Sequence, residues 1–292
     1  MTISLIINEK SGTKESDDLI EKILAEFQKR NIIVELQKTE GSEIIEVTDK
    51  AIHSNVDAIV VGGGDGTINA VVSKLVGTSI PLGILPMGTF NHFAGDLGLP
   101  ADLEKCIDII ATGNSEPVDI AEVNGKIFIN NSSIGVYALA VRMRENYQKK
   151  LGWTKRWAMI RAALNIFDRF PSFTVKLETE KGLYFRKTSF VFVGNNKYTS
   201  GKRESLTEGI LSIYTAHLKG RWGVLWMGIL AVFNKLDDKY FDLHLAKELE
   251  LDTKKKRIIV SVDGEILDMK PPLEYKIRPL QLHVLLPVKS AA

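Results

Sequence analysis

The stretch Ala58-Ile59-Val60-Val61-Gly62-Gly63-Gly64-Asp65-Gly66-Thr67-Ile68-Asn69-Ala70 decides how this chain is read. It opens as a short apolar, β-branched run, the pattern of a strand buried in a parallel sheet. It then breaks into four glycines in five positions, Gly62 to Gly66, around Asp65. Thr67 follows, placed to cap the helix that Ile68, Val71, Val72 and Leu75 predict. A strand, a turn without side chains and a helix start together make an anion site. Backbone N–H groups approach a phosphate closely there, and the helix dipole favours negative charge. A turn without a ligand needs only one or two glycines, so the surplus points to a ligand. The spacing matches neither G-x-G-x-x-G nor the Walker loop with its Lys.

Outward from this turn, strands alternate with helices. Ile3–Ile7, Ile32–Leu36, Asp57–Val61 and Pro81–Pro86 read as strands. Between them lie a helix with Leu19, Ile20, Ile23, Leu24 and Phe27 on one face, a second over residues 43–53 and a third over about 67–76. A further helix is expected near residues 101–111. Residues 1–116 therefore read as an α/β nucleotide-binding domain with a parallel, Rossmann-like sheet. In such sheets ligands sit outside the carboxyl ends of the strands. All four strand-end loops carry Gly, Thr or Asn there.

After Pro117 the pattern changes. Val118–Val123, Ile127–Ile134, Phe173–Leu177, Tyr184–Val193, Ile210–Tyr214, Leu243–Leu251, Ile258–Val262, Leu273–Ile277 and Leu282–Leu286 read as strands. Asn124-Gly125 and Lys181-Gly182 are hairpin signals. Residues 117–292 thus predict an all-β antiparallel sandwich, with helical insertions over about 137–169 and 220–236 and a last strand free to return to the first domain.

Composition bounds the rest. A chain of 292 residues with 45% hydrophobic and 25% charged residues is globular. A net charge of +2 gives no global argument for nucleic acid. The single cysteine, Cys106, rules out an internal disulfide and, among Leu103, Ile107 and Ile110, reads as a buried small side chain. The N-terminus has neither the basic region nor the cleavage site of a signal peptide. The longest apolar run, Trp222 to Phe233, has twelve residues, too few to span a bilayer. These features predict a cytoplasmic protein that at most rests on a membrane.

Three further constellations carry chemistry. In Gly88-Thr89-Phe90-Asn91-His92-Phe93-Ala94, Thr89 and Asn91 can bind a nucleotide or cap a helix, and His92 can be a base or a structural residue. In Val260-Ser261-Val262-Asp263-Gly264-Glu265, a strand delivers two acids to a turn. That suits a general base or a Mg²⁺ ligand, and Asp-Gly is equally an ordinary hairpin. Lastly, residues 137–161 hold Arg142, Arg144, Lys149, Lys150, Lys155, Arg156 and Arg161 among Tyr147, Trp153 and Trp157, and the second insertion adds Lys219, Arg221, Trp222 and Trp226. Such helices fit an anionic lipid surface, a core helix with a solvated face, or RNA. One cysteine and scattered histidines give no zinc spacing, and no G-x-S-x-G elbow is present.

In this order, Gly63-Gly64-Asp65-Gly66-Thr67, Gly88-Thr89-Phe90-Asn91-His92-Phe93-Ala94 and Asp263-Gly264-Glu265 resemble the diacylglycerol kinase catalytic family, which includes soluble bacterial lipid kinases and sphingosine kinases. The resemblance extends over nearly the whole chain, including the Leu206-Thr207-Glu208-Gly209 loop. NAD kinases and phosphofructokinases share the first motif alone. The second motif makes the lipid kinase reading specific.

The resemblance implies ATP-dependent phosphorylation of a lipid hydroxyl, with ATP between an α/β domain and a β-sandwich. It implies that Asn8, Thr39, Gly63, Gly64, Asp65, Gly66, Thr67, Ile68, Asn69 and Thr89 contact ATP, with Glu265 added to that set. Asp263 matches the proton acceptor, and Asp65 would lie near the phosphates and Mg²⁺. The family's structural Mg²⁺ site falls on Ser205, Glu208 and Ile210. The basic insertions would dock the enzyme on an anionic membrane beside its lipid substrate. No nucleic-acid partner is implied, and the oligomeric state stays open, a homodimer included. Three departures stand out. Asn8-Glu9-Lys10-Ser11-Gly12 lacks the family's proline, His92 stands where an aspartate is usual, and Glu208 replaces an Asp. An NAD kinase-like enzyme and a non-catalytic nucleotide- or lipid-binding protein are the alternatives.

Overall fold

A computed structural model describes residues 1–8, 17–41, 43–136, 138–139, 142–143, 173–199, 202–216, 223 and 240–288. Residues 9–12 of the opening loop and nearly all of both helical insertions, with their tryptophans, lie outside the described residues. The first elements are β1 (Thr2–Asn8), α1 (Asp17–Lys29), β2 (Ile33–Thr39), α2 (Ile44–Ile52), β3 (Ala58–Gly63), α3 (Asp65–Leu75), β4 (Leu82–Pro86), α4 (His92–Asp96) and α5 (Leu103–Thr112). There follow β5 (Asn114–Val123), β6 (Lys126–Phe128), β7 (Asn131–Gly135), β8 (Phe173–Thr179), β9 (Gly182–Thr188), β10 (Phe190–Asn195), β11 (Tyr198–Thr199) and β12 (Lys202–Arg203). The last are β13 (Leu211–Ala216), β14 (Phe241–Ala246), β15 (Glu248–Thr253), β16 (Ile258–Val262), β17 (Glu265–Met269) and β18 (Leu273–Leu286).

The chain divides into two units. One comprises residues 1–120 and 279–292, the other residues 121–278. In the first, parallel strands run in the order β2-β1-β3-β4, with the end of β18 beside β4 through Val284 and Leu82. Every residue of β3 is buried, as a strand covered on both faces requires. Helix α1 packs Ile20, Ile23 and Phe27 into the core around Ile3, Leu5, Ile7 and Val60. Its Asp17 and Asp18 in the first turn and Lys29 in the last complement the helix dipole.

In the second unit, one antiparallel sheet has the order β14-β13-β10-β7-β16-β17. The other pairs the start of β18 with β15, then β8 and β9. One apolar core takes Val191, Val193, Ile213 and Val260 from the first sheet, and Val175, Leu177, Leu249, Leu251 and Tyr275 from the second. This is the expected α/β domain with a parallel sheet followed by antiparallel all-β structure.

Three expected strands are each two strands, and in each case a polar group takes a backbone partner at the break. Tyr184–Val193 divides at Ser189, where Thr188 Oγ1 accepts the Phe190 N–H at 3.2 Å and donates to the Ala216 carbonyl at 3.2 Å. Leu243–Leu251 divides at Lys247, whose N–H goes to Glu180 Oε1 at 2.8 Å. Ile127–Ile134 divides at Ile129 and Asn130, whose N–H groups go to Asp263. Conversely, Leu273–Ile277 and Leu282–Leu286 form the single strand β18, bent at Leu280 with φ 55°. No helix among the described residues is long and apolar enough to cross a membrane.

Cys106 is buried on α5, its thiol donating to the Pro100 carbonyl at 3.2 Å. Burial, and secondarily the Asp102 carboxylate, pushes the thiol from 9.0 up to about 11. Alkylation at pH 8 should therefore run at least about 100-fold slower in the native protein than in the urea-unfolded chain. Because the folded-state value is raised, the associated stability is complete below 9.0 and is lost as pH climbs through about 11. Equal alkylation rates in the two states would overturn this.

Candidate active site

The glycine turn sits where β3 ends and α3 begins. Its N-cap is Gly64, with φ −90° and ψ 179° and no side-chain cap bond among the described residues. The first helical bond runs from the Ile68 N–H to the Gly64 carbonyl at 3.0 Å. Thr67 is therefore not the cap the sequence suggested. It lies inside the first turn, buried, where its Oγ1 accepts a bond from Asn8 Nδ2 at 2.9 Å. That bond ties the end of β1 to the start of α3. Thr39, at the end of β2, is the register partner of Asn8 and is also buried. Asn69 is buried, Ile68 is fully buried, and Gly66 is exposed. Asn8, Thr39, Gly63, Gly64 and Thr67 thus gather at the carboxyl ends of β1, β2 and β3.

The second loop locks onto the first. A Cβ on Gly88 would stand 2.4 Å from the Gly64 Cα, so only glycine allows this approach. Asn91 adopts φ 51° and spends its side chain inside its own loop. Its Oδ1 accepts the Gly88 N–H at 2.9 Å, and its Nδ2 donates to the carbonyls of Pro86 and Gly88. Helix α4 is capped instead by Asp65. The two Asp65 oxygens accept the N–H groups of His92 and Phe93 at 3.2 and 3.1 Å. Thr89 and Phe90 are exposed, and the Phe90 ring stacks on His92 at 5.5 Å with 7° between planes.

In the second unit, Asp263 and Gly264 form a two-residue hairpin turn between β16 and β17, with φ 46° and 86°. The turn is thus the ordinary hairpin, and it also aims the Asp263 carboxylate at residues 129–131. Asp263 Oδ2 accepts the Ile129 N–H at 2.8 Å, and Oδ1 accepts those of Asn130 and Asn131 at 3.0 and 2.9 Å. The Asp263 N–H returns to the Asn131 carbonyl at 2.9 Å. Three N–H donors on one carboxylate favour its ionised form. Glu265 opens β17, exposed, and pairs with Lys126 at 3.1 Å.

The far side of the 129–131 segment is bonded as fully. Ile129's carbonyl accepts from Asn195 Nδ2 at 2.9 Å and Arg203 Nη2 at 2.8 Å. Asn130's carbonyl accepts from the Asn195 N–H at 3.0 Å and Tyr198 Oη at 3.1 Å. The sequence reading did not single out these residues. The available signal was the recurrence of Asn-Asn, at Asn130-Asn131 and Asn195-Asn196, in strands where Asn is disfavoured.

Ser205, Glu208 and Ile210 offer one exposed carboxylate and two carbonyls, and the Ile210 carbonyl already accepts the Asn196 N–H at 3.0 Å. A Mg²⁺ ion held there would need water in at least half of its six coordination positions. Among the described residues, no three His, Cys, Asp or Glu side chains gather as a metal site.

Residues 2–123 match the family model described as the diacylglycerol kinase catalytic domain. The chain is 28% identical over 182 residues to a "Probable lipid kinase YegS-like" of Klebsiella pneumoniae (strain 342), covering 62% of this chain and 61% of that protein. It is 33% identical over 135 residues to a diacylglycerol kinase of Staphylococcus aureus (strain bovine RF122 / ET3-1), covering 45% of this chain and 42% of that protein. The chain thus spans about half the length of these curated relatives. A crystal structure of a diacylglycerol kinase from Bacillus anthracis str. Sterne shares the fold with a TM-score of 0.72, over 99% of this chain and 98% of that one at 20% identity.

The Asp65 geometry has a direct consequence. In Asp65→Ala, the His92 and Phe93 amides lose their acceptor; the exposed His92 amide can turn to water, and the cost of about 1–3 kcal/mol falls on the amide of buried Phe93. Their hydrogen exchange should accelerate relative to β1 and β3. Unchanged exchange at both amides would mean that the loops are not joined through Asp65.

Proposed function

We propose, from the premise that residues 2–123 belong to the diacylglycerol kinase catalytic domain family, that the chain is an ATP-dependent kinase moving a γ-phosphate onto a lipid hydroxyl. One observation carries the reading: α3 starts on glycine, with Gly64 at its N-cap and Gly66 exposed beside it, at the carboxyl ends of parallel strands. The first-turn N–H groups and the positive end of the helix suit a polyphosphate. Asn8, Thr39, Thr67, Asn69 and Thr89 would supply polar contacts around it. Mg²⁺ is the expected divalent ion, with Asp65 in the glycine turn as its nearby acid, and it would neutralise charge on the phosphates.

Phosphoryl transfer depends on positioning and electrostatics more than on covalent chemistry. Asp263 would accept the lipid hydroxyl proton as the new O–P bond forms and the bond to the β-phosphate oxygen breaks, releasing ADP. A carboxylate gripped by three N–H groups is a weak base. A loose transition state makes modest demands on that base, because the hydroxyl gives up its proton late.

The test is transfer from radiolabelled ATP with Mg²⁺ to a panel of diacylglycerol, monoacylglycerol, phosphatidylglycerol, sphingosine and ceramide, with NAD as a control acceptor. Label on a lipid is the expected result. Label on NAD alone assigns an NAD kinase, and ATP binding without any transfer assigns a nucleotide-binding protein. With the accepted lipid, Asp263→Asn should abolish turnover and keep ATP affinity within about threefold, since it removes the base and not the phosphate cradle. Retained turnover would take the base role from Asp263.

The sequence of the two insertions, with its basic residues and tryptophans, supports docking on an anionic membrane. Co-sedimentation with vesicles should increase with phosphatidylglycerol content and fall with salt. Binding indifferent to both would refute the docking.

A further inference from the structure

One peptide unit of the second unit has charged partners on both sides. The carbonyl of the Ile129–Asn130 peptide accepts a bond from Arg203 Nη2 at 2.8 Å, and its N–H donates to Asp263 Oδ1 at 3.0 Å. The same Nη2 also reaches Asn130 Oδ1 at 2.8 Å, so one nitrogen holds both the backbone and the side chain of this segment. Arg203 comes from the short β11–β12 hairpin, opposite Tyr198, and its guanidinium carbon stands 5.7 Å from the centre of the Tyr198 ring. Tyr198 Oη binds the next carbonyl, that of Asn130, whose peptide N–H at Asn131 is again on Asp263. Ile129 and Asn130 are buried, so these groups act with little solvent screening.

A cation on a peptide carbonyl pulls electron density from the N–H of the same unit and makes that N–H a stronger donor. It also fixes the plane of the unit, and with it the direction of the N–H. We propose that Arg203 is a positioning residue for Asp263, holding and polarising the Ile129–Asn130 peptide that grips the carboxylate. The catalytic consequence rests on Asp263 being the base. The electrostatic link between Arg203 and Asp263 does not.

The test uses the full chain with ¹⁵N-labelled asparagine, because the amide shifts of Asn130 and Asn131 report ionisation of the carboxylate they bind. In Arg203→Met the midpoint of their titration should rise by about 0.5–1 pH unit, since a cation that favours the carboxylate is gone. Arg203→Lys, which keeps the charge, should return most of the shift. With a lipid acceptor that the panel assay identifies, Arg203→Met should lower kcat about tenfold, with KM for ATP within about twofold, and move the acid limb of the pH profile upward by the same interval. A midpoint and a kcat both within error of the unsubstituted protein would overturn the proposal, as would a kcat loss that Lys does not relieve and that leaves the midpoint in place. If Arg203→Met does not fold, Arg203→Lys decides alone. It should lower kcat about two- to fivefold with the midpoint nearly kept, because an ammonium lacks the fork of the guanidinium. Unaltered kcat would then overturn the proposal. An active Asp263→Asn enzyme removes the base reading and leaves the titration to judge the Arg203 link. An inactive one with an unmoved Arg203→Met titration removes the link and leaves the base reading.

Discussion

A backbone N–H that loses its water needs an acceptor, and in the candidate site of each unit that acceptor is a carboxylate from far along the sequence. Asp65 takes the N–H groups of His92 and Phe93, and Asp263 takes those of Ile129, Asn130 and Asn131. In each unit this bond set shapes the candidate site. Without Asp65, the amide of buried Phe93 would lack this acceptor and the second loop would lose an anchor to the first. Without Asp263, three successive donors would face a void where β6 gives way to β7. A neutral acceptor would serve less well, because bonds to a charged acceptor are roughly twice as strong.

These carboxylates reach their donors only because glycine permits the approach. Gly88 lies against Gly64 so closely that any side chain would collide with backbone, which cannot move aside as a flexible side chain would. Gly264, at φ 86°, closes the turn that swings Asp263 back toward residues 129–131. The glycines near the opening stretch thus serve two ends. They bare the backbone at the start of α3, and they let two loops share one aspartate.

The alternation of strands and helices in the first unit was legible because both periodicities are long and regular there. The glycine turn was legible because its composition is so unusual. The breaks at Ser189, Lys247 and Ile129 were not, since apolar runs continue through them. What divides the strands is a tertiary acceptor, Glu180 for Lys247 and Asp263 for Ile129, or a hydroxyl turning on its own backbone, as at Thr188. No local pattern announces a partner 134 residues away. Thr67 shows the same limit. Its position after the glycines suits a cap, and the structure instead pairs it with Asn8, 59 residues earlier. The belt of Asn195, Tyr198 and Arg203 was equally hidden, because its members serve the backbone of a segment more than 60 residues earlier, between β6 and β7.

The double duty of Asp263 also governs how its substitution is to be read. An asparagine at this position keeps one oxygen and turns an NH₂ toward at least one of the three N–H donors, setting donor against donor. Loss of turnover in that variant would therefore combine the loss of the proposed base with the loosening of residues 129–131. Arg203 is separable in a way that Asp263 is not. It holds the far side of a peptide plane that grips the carboxylate, so changing it leaves all three acceptor bonds possible. A carboxylate that holds three backbone donors is best probed through the group that sets its surroundings.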